Sequence, residues 1–155
     1  MMALAAVGYS GTPLPAKLGL KDGQKSLFVG LPETLSNLKT SRAFFEVRDA
    51  AAGALDGAGR EYDLVHFFTD SRAELEAAIP ALKKAIVPNG AIWISWPKKA
   101  SKIPTDITED VIRDVVLPIG LVDVKVCAVD AVWSGLKLVI RKELRAVSCP
   151  AAARN

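Results

Sequence analysis

Residues 62–96 read YDLVHFFTDSRAELEAAIPALKKAIVPNGAIWISW, and this stretch decides the fold. Tyr62–Phe68 is apolar through its middle, the pattern of a strand buried on both faces of a parallel sheet. Ser71 and Glu74 form an S-x-x-E capping box, and Leu75, Ile79, Leu82 and Ile86 then recur at helical spacing. Pro80 is expected to kink this helix, because proline removes one ladder bond and crowds the preceding turn. Pro88-Asn89-Gly90 closes the helical unit, and Ala91–Trp96 (AIWISW) is the next strand.

Working outward, the same alternation continues. Upstream, Lys25–Gly30 (KSLFVG) is a short apolar run that reads as a buried strand. A short helix over Pro32–Lys39 follows it, with proline in the first turn. Ala43–Arg48 (AFFEVR) is a further strand, and Asp49–Gly59 is a weak helix or a loop. Downstream, a helix is expected over Asp106–Leu117, with Asp106 and Glu109 capping its start and Pro118 and Gly120 stopping it. The period then changes to two. Val122, Val124, Val126 and Ala128 alternate with Asp123, Lys125 and Cys127, and Leu136, Leu138 and Ile140 alternate with Lys137 and Val139. Asp130–Gly135 is too short for a crossover, so these two strands form an antiparallel hairpin. The sum is an α/β three-layer, Rossmann-like domain whose mostly parallel sheet is closed by a C-terminal antiparallel hairpin. Residues 1–22 are expected to wrap the domain, residues 23–145 to form it, and residues 146–155 to be a tail.

The composition agrees with one globular domain. The chain has 155 residues, 50% of them hydrophobic and 24% charged, with a mean hydropathy of +0.24. That balance excludes a disordered protein, and no apolar run approaches the ~20 residues of a membrane span. A net charge of +3 is too mild to imply nucleic-acid binding, and the lysines near Trp93 and Trp96 make only a faint aromatic platform. Cys127 and Cys149 make no disulfide framework, so a reducing cytoplasm is the expected compartment.

The order of elements resembles the class I S-adenosylmethionine (SAM)-dependent methyltransferases. The run ALKKAIVPNGAIWIS is similar to the segment around their L-K-P-G-G motif, and GLVDVKVCAVDAVWSGLKLVIRK is similar to their closing hairpin. A resemblance that spans nearly the whole chain is to the bacterial DUF3052 family, of unknown function. It is carried by GYSGTPL (8–14), WPKKASKIPTDITEDVIR (96–113) and GLVDVKVCAVDAVWSGLK (120–137). That family transfers no activity or catalytic residue. The methyltransferase resemblance implies a cofactor site after the first strand, with Gly30, Asp49 and Thr69 as the positions to hold SAM. There the family carries a G-x-G-x-G type loop, whereas this chain reads Gly30-Leu31-Pro32. Side chains at the second and third positions occupy cofactor space and remove backbone freedom, which disfavours ordinary SAM binding.

Open α/β sheets place ligands at the carboxyl ends of their strands. Lys98, Lys99 and Lys102, with Ser101 and Thr105, follow one such end and suit an anion such as phosphate or carboxylate. The plain alternative is a solvated basic loop. Ser10 and Thr12, in the Gly- and Pro-rich lead segment, are lid candidates for the same ligand. Asp106, Glu109 and Asp110 are read as helix capping rather than as a general base or metal site, since no histidine accompanies them. His66, in mid-strand, is read as a core imidazole with its hydrogen bond satisfied, and Cys127 as a packed thiol. The resulting expectation is a methyltransferase-like domain without ordinary SAM-dependent activity that binds a small anionic ligand or a protein partner. The alternatives are a divergent SAM-dependent methyltransferase and a structural homodimer.

Overall fold

Apolar runs at Lys25–Val29 (β1), Tyr62–Phe68 (β3) and Ile86–Pro97 (β4) form the middle of a sheet in the computed structural model, which describes residues 13–50 and 62–142. The other strands are Glu46–Ala50 (β2), Leu121–Ala128 (β5) and Trp133–Ile140 (β6), and the spatial order is β2-β1-β3-β4-β6-β5. β1 to β4 pair in parallel, and β6 inserts antiparallel between β4 and β5. The chain leaves β1 for the β2 edge and returns past β1 to β3. The reversal puts a topological switch point between β1 and β3, where a ligand crevice is expected at the carboxyl ends.

Two cores cover the two faces. One face carries Leu27, Val29, Val65, Phe67, Ile92 and Ile94, and packs on Arg72–Ala85 (α2) and Glu109–Val116 (α3) through Leu75, Leu82, Ile112 and Val116. The other carries Phe28, Leu64, Phe68 and Trp93. It is covered by Leu18 and Leu20, just after Leu14–Lys17 (α1), and by Leu35 and Leu38 of a 3-10 helix over Glu33–Thr40. The strand register draws one row across this second face: Asp49, Phe28, His66, Trp93, Lys137 and Lys125, one residue from each strand. Aromatic groups fill the centre of the row and charges stand at its ends.

Several local expectations change. β2 begins at Glu46 rather than Ala43, because the Gln24 carbonyl accepts the N–H of Phe45 and leaves that ring 75% exposed ahead of the strand. α2 runs through Pro80 without interruption. The proline sits on the exposed face, and so does Glu76, whose carbonyl would have received its N–H, so water can serve that carbonyl. Pro88-Asn89-Gly90 lies inside β4, which follows α2 directly, and the ladder with β3 is irregular between Tyr62 and Leu64. α3 begins at Glu109 and is capped by Thr108, whose hydroxyl accepts from the Val111 N–H. Asp106 caps α2 instead, accepting from the Arg72 N–H at 2.7 Å, and thereby ties the two helices' starts together. In β5 the alternation fails at an irregularity between Asp123 and Lys125, which leaves Val124 and Val126 half exposed on an edge strand.

Candidate functional site

The carboxyl ends of β1 to β4 lie side by side and are linked by backbone bonds. The Gly30 N–H donates to Ala50 O, and the Thr69 N–H donates to Ser95 O. Gly30 takes φ +71°, and a Cβ there would meet the Phe68 carbonyl oxygen at 3.0 Å. The turn after β1 therefore requires glycine both for its left-handed backbone and for its close approach to β3. Leu31 and Pro32 continue it, and the Pro32 carbonyl opens the 3-10 helix by accepting from Leu35.

Of the three cofactor positions, Gly30 and Thr69 follow the two strands that flank the switch point, with Gly30 against the Phe68 carbonyl. Asp49 stands one strand away, opposite Phe28. Each of the two polar side chains already has an internal partner. Lys39 donates to the Asp49 carboxylate, and the two form an ion pair between the 3-10 helix and β2. Thr69, 3% exposed, donates its hydroxyl to Glu74 and accepts from the Ser71 N–H. Ser71 in turn caps α2 through the Glu74 N–H. The capping box is thus closed through Thr69, since the carboxylate of Glu74 reaches the threonine rather than the N-cap backbone.

The loop after β4 differs. Its two hydroxyls are used locally: Ser101 donates to Lys98 O at 2.6 Å, and Thr105 donates to Asp70 O at 2.8 Å. Thr105 also accepts the Ile107 N–H, and Ser101 accepts the Ile103 N–H. Among the described residues, no carboxylate pairs with Lys98, Lys99 or Lys102. Lys102 holds φ +63°, the one non-glycine residue with positive φ among the described residues. Ser10 and Thr12 lie outside the described residues.

His66 is fully buried two residues before the end of β3. Its Nε2 lies 2.6 Å from Ser95 Oγ, its ring stacks on Phe68 at 4.1 Å, and Nδ1 has no hydrogen-bond partner among the described residues. The expected satisfied imidazole is therefore satisfied at one nitrogen only. Burial pulls its pKa down to about 3, so the ring is neutral at physiological pH. Trp93 closes the same box and donates Nε1–H to Leu18 O at 2.8 Å. Cys127 is half-buried, and burial pushes its thiol up against the opposing pull of Lys17 and Lys125, which suits a packed thiol better than a nucleophile. Arg113 holds Glu109, Asp110 and Asp123, and the described residues contain no cluster of three or more potential metal ligands.

No family model matches the chain, and no curated protein sequence does. Solved structures do. A SAM-dependent methyltransferase from Aquifex aeolicus superposes with a TM-score of 0.60 at 16% identity, covering 81% of this chain and 86% of its own. Magnesium protoporphyrin IX methyltransferase from Synechocystis, with bound SAM, gives 0.58 at 16% identity, over 83% and 74%. The chain has a methyltransferase fold. The [4+2]-cyclase SpnF matches equally well, with 0.61 at 10% identity over 83% and 79%, so the fold alone does not specify the reaction. Among the described residues, no helix is long and apolar enough to cross a membrane.

The residues that sequence reasoning missed are the partners. Lys39 reaches Asp49 from the 3-10 helix, Glu74 reaches back to Thr69 from the first turn of α2, and Ser95 meets His66 through the pairing of β3 with β4.

Proposed function

We propose that this methyltransferase-fold domain does not carry out ordinary SAM-dependent methyl transfer and instead binds a small anionic ligand at the carboxyl edge of the sheet. The observation that carries this reading is the Lys39–Asp49 pair. In a cofactor crevice of this fold, a carboxylate at the end of the second strand would be free for ribose hydroxyls. Here the carboxylate is satisfied from within, next to a turn whose Leu31 and Pro32 replace the expected glycines.

The anion site is the loop after β4, where Lys98, Lys99 and Lys102 supply charge without competing carboxylates. Ser101 and Thr105 shape the loop rather than touch the ligand. Ser10 and Thr12 remain lid candidates in this reading. The resemblance to the DUF3052 family belongs to this proposal too, and it supplies no activity.

A thermal-shift panel of phosphorylated and carboxylated metabolites tests the site. Wild type is expected to gain stability from at least one class, and K98A/K99A to show a smaller gain while keeping its unliganded melting temperature. An undiminished shift in K98A/K99A would remove the loop from the account.

A divergent SAM-dependent methyltransferase is the second reading, favoured by the left-handed Gly30 at the switch point. It requires the Lys39–Asp49 pair to open for the cofactor.

A further inference from the structure

Away from the carboxyl edge, the lysine end of the row described above stands on the β5–β6 hairpin. Lys125 and Lys137 are directly opposite each other in the antiparallel ladder, so both side chains project from the same face of the sheet. Like charges in that arrangement repel, whereas an unlike pair would have stabilised the ladder. The segment after α1 lies over the same place. The Leu18 carbonyl accepts from Trp93, which stands beside Lys137 in the row, and the Lys17 carbonyl accepts from Lys125 Nζ at 3.4 Å. Lys21 follows on that segment. Partial burial, then the charges of Lys125 and Lys21, hold the Lys137 ammonium below the ordinary lysine value.

Among the described residues, no carboxylate forms an ion pair with Lys21, Lys125 or Lys137. The nearby acids have other work. Asp123 is held by Arg113, Asp22 accepts the Ala43 N–H, and Asp130 accepts the N–H groups of Val132 and Trp133. Two separate parts of the chain thus bring cations together without, among the described residues, a carboxylate to neutralise them.

We propose that Lys21, Lys125 and Lys137 form a second anion site, for a phosphate-bearing small molecule, on the sheet face beside the end of α1. A compact ammonium serves phosphate as a point charge without a fixed fork, and three of them from two segments can surround one phosphate group. The ligand relieves the Lys125–Lys137 repulsion, so binding and hairpin stability are coupled. This site does not depend on the loop after β4.

The test is calorimetric titration of inorganic pyrophosphate in ~150 mM salt onto four proteins: wild type, K98A/K99A, and K98A/K99A carrying in addition either K125Q/K137Q or K21Q. The site predicts saturable binding that K98A/K99A retains. In that background K125Q/K137Q should weaken it by at least about tenfold, the loss of roughly one charge-assisted bond, and K21Q by a smaller factor. Without ligand, adding K125Q/K137Q should leave the melting temperature at or above that of K98A/K99A, because the repulsion is gone. Binding left intact by K125Q/K137Q and K21Q, or absent in K98A/K99A, overturns the proposal. Should the K125Q/K137Q protein melt lower, the exposed K21Q decides alone: undiminished binding in K21Q refutes the site, and weakened binding sustains it.

Discussion

The ends of β1 and β4 share one edge of one sheet yet spend their polar groups in opposite ways. At the β1–β3 switch point Thr69 is held by Glu74 and Gly30 rests against the Phe68 carbonyl, and one strand away Asp49 is held by Lys39. Past β4 the hydroxyls are also turned inward, but among the described residues three ammoniums have no acidic partner. In the proposed reading the fold's customary cofactor end serves as structure, and its neighbour keeps spare charge. Residue type alone does not separate the two. What separates them is whether a neighbouring element, the 3-10 helix for Asp49 and α2 for Thr69, brings a partner.

The largest effect expected on the closed side comes from His66. Its folded pKa lies below its unfolded value, so between pH ~6.5 and about 3 the unfolded chain binds a proton that the native state refuses. Stability contributed by the neutral ring is full above pH ~6.5 and is lost as pH falls, by about 1.4 kcal/mol per unit across that window. Denaturant unfolding of wild type and His66→Gln at pH 7, 5 and 4 should show a steeper acid loss in wild type. Parallel curves would mean that the ring is not held neutral.

Next in size is Gly30→Ala, which combines a positive φ with a Cβ at 3.0 Å from a backbone oxygen. A loss of roughly 1–3 kcal/mol in chemical denaturation is expected, and an unchanged midpoint would show that this turn is not closed against β3. Thr69→Val should cost about 1 kcal/mol by leaving the α2 cap without its relay. Its readout is the same denaturation midpoint.

The side with free charge should behave differently. K98A/K99A is expected to stay within about 0.5 kcal/mol of wild type, because Lys98 is only partly buried, Lys99 is exposed, and neither has an ion-pair partner among the described residues. Lys102→Gly should stabilise by ~1 kcal/mol, because glycine adopts φ +63° without the side-chain penalty. A marked loss in either variant would make this loop as structural as its neighbour and end the contrast.

The sequence discloses the architecture well where burial is two-sided. The apolar run Tyr62–Phe68, the Ser71 cap and the Leu136-Leu138-Ile140 alternation all stand as the pattern predicts. Legibility fails where tertiary contacts outvote local signals. Asp106 looks like the cap of its own helix but serves α2. The valines of β5 look like one buried stripe, yet an irregular ladder turns two of them outward. In the candidate site, Gly30 and the lysines of residues 98–102 are visible as residues, but the pairings of Asp49 and Thr69 are not. Lys125 and Lys137 look like ordinary outward positions until the hairpin register sets them face to face.

The most direct test of the closed switch point is calorimetric titration of the wild-type chain with S-adenosylhomocysteine, accompanied by thermal shift. A ligand at ~100 times its dissociation constant would stabilise the native state by about 2.7 kcal/mol, a clear rise in melting temperature. With the Lys39–Asp49 pair and Leu31-Pro32 in place, neither saturable heat nor a shift is expected at millimolar ligand. One-to-one binding in the micromolar range would contradict the account and make this chain a working, if unusual, SAM-binding methyltransferase domain.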